Sequence, residues 1–198
     1  MLNVQDLQKK FDDRLAVDGV SFTIAPGEIF SLIGPNSSGK TTIVKSITGL
    51  LRIDSGEVTV NGNNVSKNPK EAKSHIGYIP DEPSVWNGMT GEEFLHFVGA
   101  LYSMTPDARN KKIVELLPLF ALAGIEKEQF QQYSRGIKQK FSILAALLHN
   151  PKILIVDEPI VGLDPESAIV TKKIFKDFAH AGGAILLVTH TLSIAEEI

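Results

Sequence analysis

The sequence predicts an α/β fold: a sheet covered on both faces by helices, an antiparallel β-subdomain at the N-terminal end, and a helical subdomain inserted near residues 82–150. Three observations carry this. Short β-type runs, Val17–Ile24 and Ile29–Ile33, crowd the first 34 residues and are parted by the turn Ala25-Pro26-Gly27. Ile153-Leu154-Ile155-Val156 and Ala184-Ile185-Leu186-Leu187-Val188 are continuous apolar runs, the pattern of central strands buried on both faces. Between them, from about Thr90 to Asn150, apolar residues recur at helical spacing: Phe94, Phe97, Val98 and Leu101, then Ile113, Leu116, Leu117 and Phe120.

The remaining elements follow from local signals. A helix is expected to open at Lys40-Thr41 after Gly39 and to run to about Leu51, and Gly56–Gly62 reads as strand plus turn. No repeat, low-complexity segment or linker interrupts the 198 residues, so one continuous domain over 1–198 is expected. A net charge of -3 supplies no basic footprint, so nucleic acid is not an expected partner. With no cysteine there is neither a disulfide framework nor a thiolate metal site. The polar opening Met1–Asp6 does not read as a secretory signal, and no apolar run approaches the roughly 18 residues that span a bilayer. A role at a membrane would need spans from another chain.

The strongest chemical signal is Gly34-Pro35-Asn36-Ser37-Ser38-Gly39-Lys40-Thr41-Thr42, which fits G-x-x-x-x-G-K-[ST] after an apolar strand and at the start of a helix. Phosphate oxygens need converging N–H donors, and a tight loop ending at a helix N-terminus supplies them together with the positive end of the helix dipole. Lys40 adds a cation for the β- and γ-phosphates, and the Thr41 hydroxyl is a candidate ligand for Mg²⁺. The α/β core is therefore expected to be of the P-loop NTPase kind. A second signal is Asp157-Glu158 at the end of the apolar run Ile153–Val156, where strand alternation sends adjacent carboxylates apart. Asp157 is the expected holder of Mg²⁺ or its water, and Glu158 the expected general base toward the attacking water.

Further segments in the same order resemble the ATP-binding cassette family. Tyr133-Ser134-Arg135-Gly136-Ile137-Lys138-Gln139-Lys140 resembles the family's signature motif, Gly162-Leu163-Asp164 the loop after the acidic strand, and Thr189-His190 the switch histidine. The resemblance covers essentially the whole chain, and the wording of Gly77–Tyr102 is closest to the branch of ABC-2 type exporters. It implies adenine stacking on Phe11, catalysis assisted by His190, and ATP with Mg²⁺ as ligands. Ser134 and Gly136 are implied to bind the nucleotide of a facing subunit, in a homodimer or with a paired motor. It further implies a separate transmembrane permease partner and a cytoplasmic location against the inner face of the cell membrane. The function so implied is an ATP-binding, ATP-hydrolysing motor of an ABC transporter; the alternative class is a soluble ABC ATPase without a transport role. Three departures stand out: Ser37 replaces the usual glycine, Arg135 and Ile137 alter the signature, and Asp81 stands where most members have a glutamine. An acidic Asp81 remains a candidate Mg²⁺ ligand with a changed charge. Members usually continue well beyond Ala195-Glu196-Glu197-Ile198, so a C-terminal truncation is expected.

Overall fold

The computed structural model describes residues 1–198. Its elements run β1 (Leu2–Phe11), β2 (Arg14–Ile24), β3 (Ile29–Ile33), α1 (Lys40–Ile47), β4 (Ser55–Val60), β5 (Asn63–Asn64), α2 (Pro69–Ser74) and β6 (Ile76–Ile79). There follow α3 (Gly91–Leu101), α4 (Pro106–Leu116), α5 (Arg135–Leu147), β7 (Ile153–Asp157), α6 (Pro165–His180), β8 (Ala184–Thr189) and α7 (Leu192–Glu197). Two sheets result. One is antiparallel in the order β2-β1-β4-β5; the other is parallel in the order β3-β8-β7-β6.

Strand alternation builds two cores from one sheet. Leu154, Val156, Ile185 and Leu187 point into a cluster shared with α3, α5 and α6, whereas Ile153, Ile155, Leu186 and Val188 join Val4, Ile43, Val44 and Val58 on the other face. That explains why β7 and β8 read as unbroken apolar runs: they are the two interior strands, wet on neither side. In β1 the buried residues are Leu2, Val4 and Leu7; the odd step is absorbed by a bulge in which Asp6 takes φ 46°.

Two expectations need correction. α1 stops at Ile47 rather than near Leu51, because Gly49 turns left-handed at φ 65° and the Leu50 and Leu51 N–H groups fold back onto Lys45 O at 2.8 and 2.9 Å. Leu117–Phe120 is a 3₁₀ turn and not a continuation of α4, since Pro118 has no N–H to extend the helix. Phe97 and Leu101 share the helical spacing of the core residues yet are 38% and 66% exposed. α3 begins on a capping box, Glu93 N to Thr90 Oγ1 at 3.1 Å and Thr90 N to Glu93 Oε2 at 2.8 Å, and such a cap contributes about 1 kcal/mol. The helices inserted between β6 and β7 meet in an aromatic cluster: Phe130 lies 5.2 to 5.4 Å, centroid to centroid, from Phe94, Tyr133 and Phe141.

Candidate active site at the strand ends

The C-terminal ends of β3, β6, β7 and β8 lie side by side in the parallel sheet, and the segments leaving them form one cleft of about 850 Å³. After β3 the chain turns sharply and enters α1 through Gly39. Gly39 has φ 95°, and a Cβ there would stand 2.6 Å from Ala16 O, so only glycine serves. Ser37 adopts φ 65°, showing that the serine takes the left-handed conformation for which glycine is the usual choice. No acidic side chain and no side-chain cap closes the first turn of α1, which leaves its N–H groups open toward the cleft. Lys40 Nζ donates to Gly34 O at 2.6 Å and Pro35 O at 2.7 Å, holding its charge over the loop.

Glu158 follows β7 with φ 47°, a left-handed conformation rare for a non-glycine residue and typical of functional turns. It is 8% exposed, and three donors hold its carboxylate. Thr189 Oγ1 donates to Oε2 at 3.0 Å, and His190 donates to Oε1 from its backbone N at 2.7 Å and from Nδ1 at 2.7 Å. A ring nitrogen so close to a carboxylate oxygen carries the proton, which leaves Nε2 uncommitted. The parallel register Asp157↔Val188 brings these groups together from opposite ends of α6.

Asp157 is half-buried, and its carboxyl is pushed up to about 6, first by burial and then by the charges of Asp81 and Glu158, with Lys40 and Lys45 opposing. A carboxylate so short of counter-charge, with the Thr41 hydroxyl on the same cleft wall, is the sparse oxygen set that suits Mg²⁺ completed by a nucleotide's phosphates. Asp81, expected as a third metal ligand, has its carboxylate on Arg135 Nη2 at 3.0 Å.

The cleft gathers Phe11, Asn36, Ser37, Ser38, Gly39, Lys40, Thr41, Thr42, Asp81, Asp157, Glu158 and His190 from the expected set. Phe11 is 47% exposed, so its ring is not a core aromatic. Gly34, Ser134 and Gly136 are off the cleft wall. Ser134 is exposed and caps its own helix, Ile137 N to Ser134 Oγ at 3.4 Å, while a Cβ on Gly136 would meet Gly162 O at 2.8 Å. Residues unforeseen from sequence are Arg14, Leu15 and Ala16, which the tight β1–β2 hairpin sets beside Phe11, together with Arg135 and Val161. The signal that could have shown the hairpin is the turn-forming pair Asp12-Asp13.

Residues 17–161 match the ABC transporter family. The chain belongs to that family. The linearmycin resistance ATP-binding protein LnrL of Bacillus subtilis is 35% identical over 196 residues, 99% of this chain and 63% of its own length. The lipopolysaccharide export system ATP-binding protein LptB of Haemophilus influenzae is 35% identical over 203 residues, 99% of this chain and 84% of that protein. A solved ATP-binding subunit of an ABC transporter superposes with a TM-score of 0.93 at 32% identity, covering 98% of this chain and 81% of that one. A dimeric cassette solved in a post-hydrolysis state with ADP and Pi superposes at 0.89 with 25% identity, over 100% of this chain and 91% of the other. The chain spans less than two thirds of the length of several curated relatives, 63% of LnrL and 34% of the probable multidrug ABC transporter ATP-binding protein YbhF of Escherichia coli. The ABC fold is thus established for this chain, and no helix in it is long and apolar enough to cross a membrane.

Proposed function

We propose that this chain is the Mg²⁺-dependent, ATP-hydrolysing motor of an ABC transporter, working on a separate membrane-spanning partner. The observation that carries the reading is the convergence, in one cleft, of the Lys40 loop with a buried Glu158 tethered by Thr189 and His190. Phe11 stacks the adenine from the hairpin edge, and the loop N–H groups with Lys40 hold the β- and γ-phosphates. Thr41 and Asp157 would hold Mg²⁺, which when bound would supply charge neutralisation on the transferring phosphoryl group. Glu158 accepts the proton of a water whose oxygen attacks the γ-phosphorus; the bond to the ADP oxygen breaks, and ADP and phosphate leave. His190, held by Glu158 through Nδ1, keeps Nε2 available to the γ-phosphate.

The names of the relatives support transport, as LnrL and LptB are ATP-binding proteins of resistance and export systems. A dimeric neighbour supports pairing of two motors, in which the exposed Ser134 and the partly buried Gly136 meet the nucleotide of the facing subunit. For the membrane partner the support is an exposed aromatic patch: Trp86, 55% exposed, packs edge-on to Phe97 at 5.1 Å, with Leu101 one turn further along α3. We place the chain on this reading at the inner face of the cell membrane. The test is steady-state ATP turnover with Mg²⁺ and with chelator, for the parent and Glu158→Gln. Turnover abolished by chelator and lowered about 10²–10⁴-fold by the substitution is expected, the worth of a positioned general base. Turnover by Glu158→Gln within twofold of the parent would move the base elsewhere.

A further inference from the structure

The first two turns of α5 grip the segment that leaves β6. Arg135 and Gln139 stand four residues apart and so share one side of the helix. Arg135 Nη2 donates to Asp81 Oδ1 at 3.0 Å and to Asp81 O at 3.3 Å, and the buried Gln139 donates Nε2 to Pro80 O at 3.5 Å. Two successive carbonyls are therefore held by one helix face. The Arg135 stem packs on the loop after β7, its Cδ 3.4 Å from where a Cβ on Gly162 would stand. Lys140, one residue beyond Gln139, pairs with Asp164 of the same loop at 3.0 Å.

The position of this pair matters because of what the cleft must accept. Arg14, Lys40 and Arg135 on its walls balance Asp81, Asp157 and Glu158, and a triphosphate brings several further negative charges. Both members of the Arg135–Asp81 pair are 49% exposed, so the pair adds little to folding. Its effect is on the field in the cleft.

We propose that Arg135 is the counter-charge of Asp81, a positioning residue that acts through it and so permits a carboxylate at the mouth of a phosphate-binding cleft, leaving metal coordination to Thr41 and Asp157. The inference rests on the nucleotide reading above and goes beyond it. Without Arg135 the Asp81 charge opposes the phosphates; without both, the balance returns. A direct contact between Arg135 and a phosphate would behave differently, since no change at Asp81 could replace it.

The test is equilibrium binding of ATP to the full chain at low ionic strength, for the parent, Arg135→Gln, Asp81→Asn and the double variant, with Arg135→Lys as the conservative control. Arg135→Gln weakens binding about 3–10-fold, the scale of one partly screened charge at this range. Arg135→Lys, which keeps the charge, stays within about threefold of the parent, and the double variant within about twofold. The Mg²⁺ concentration giving half-maximal ATP binding changes less than about threefold in Asp81→Asn, because the carboxylate is not a metal ligand. Thermal melts of all five proteins separate a folding defect from a binding one. A double variant as weak as Arg135→Gln, or a tenfold higher Mg²⁺ requirement in Asp81→Asn, overturns the proposal. A parent that binds no ATP overturns the nucleotide reading itself, and this inference with it.

Discussion

Asp157→Asn is expected to stabilise the nucleotide-free protein while disabling its use of Mg²⁺. Folding raises the Asp157 pKa from 3.8 to about 6, chiefly by burial and then by the Asp81 and Glu158 charges. The folded state therefore holds the proton more tightly than the unfolded chain. Stability tied to this group is full below about pH 4, where both states are protonated, and is lost as pH rises from 3.8 through about 6. Above that range the ionised carboxylate is a standing cost of roughly 3 kcal/mol if unscreened, and the half-exposed position discounts it to about 1 kcal/mol. Asparagine keeps the shape without the charge. For a chain of this size that is a melting temperature about 2–4 °C above the parent at pH 7.5 with chelator present. The advantage shrinks to about half by pH 5. Differential scanning fluorimetry at the two pH values measures it directly. Adding Mg-ATP reverses the comparison: saturation at about 100 times the dissociation constant stabilises the parent by roughly 2.7 kcal/mol, and the variant gains less. A variant no more stable than the parent at pH 7.5, or an advantage that grows toward pH 5, would refute the claim that Asp157 is held at a cost for its ligand.

Other outcomes follow from the same geometry. Lys40→Ala removes a charge-assisted grip on the phosphates and the bonds to Gly34 O and Pro35 O, so ATP affinity measured by isothermal titration drops about 10–100-fold. Ser134→Arg leaves ATP affinity of the single chain within about twofold, because Ser134 lies off its own cleft, but it abolishes the ATP-dependent dimer. Light scattering in a Glu158→Gln background, which traps the nucleotide, shows the loss; a dimer that survives would sink the facing-subunit role. Gly91→Ala puts a Cβ 2.3 Å from the Phe141 ring, so the melting temperature falls by an amount equivalent to about 1–3 kcal/mol. An unchanged melt would mean the aromatic cluster yields more easily than its packing suggests.

What the sequence made legible, and what it hid, divides by the range of the interactions involved. The phosphate loop was readable because its demands are local: a left-handed Gly39, open N–H groups at the start of α1 and a lysine beside them. Asp157 and Glu158 were readable as carboxylates at a strand end. What holds Glu158 was not, because Thr189 and His190 arrive from the far side of α6 through the parallel pairing of β7 with β8. Arg135 looked like a defect in a motif and Asp81 like an odd substitution, separated by 54 residues; their meaning lies in the 3.0 Å contact between them. The periodicity of Phe97 and Leu101 predicted a helix but not which residues it buries, since apolar spacing does not distinguish a core from a surface awaiting a partner.

That last ambiguity bears on how work could leave the cleft. Trp86 lies 6.4 Å from Phe94, Phe94 5.2 Å from Phe130, and Phe130 5.4 Å from Tyr133, the residue before Ser134. Packed aromatics joined in this way move as one body, because interiors at crystal-like density repack in discrete steps and do not deform gradually. The same body meets the cleft through α5, whose Arg135, Gln139 and Lys140 hold the segments after β6 and β7. Those contacts are two partly exposed ion pairs and one long hydrogen bond, whereas behind them Phe141, Ile143 and Leu144 of α5 lie in one apolar core with Ile79, Leu154 and Val156 of the sheet. The contacts that a change of charge can loosen are therefore the polar ones beside the cleft, while the apolar core behind them keeps α5 on the sheet. On the motor reading proposed above, a change of charge in the cleft is expected to act first on these polar contacts.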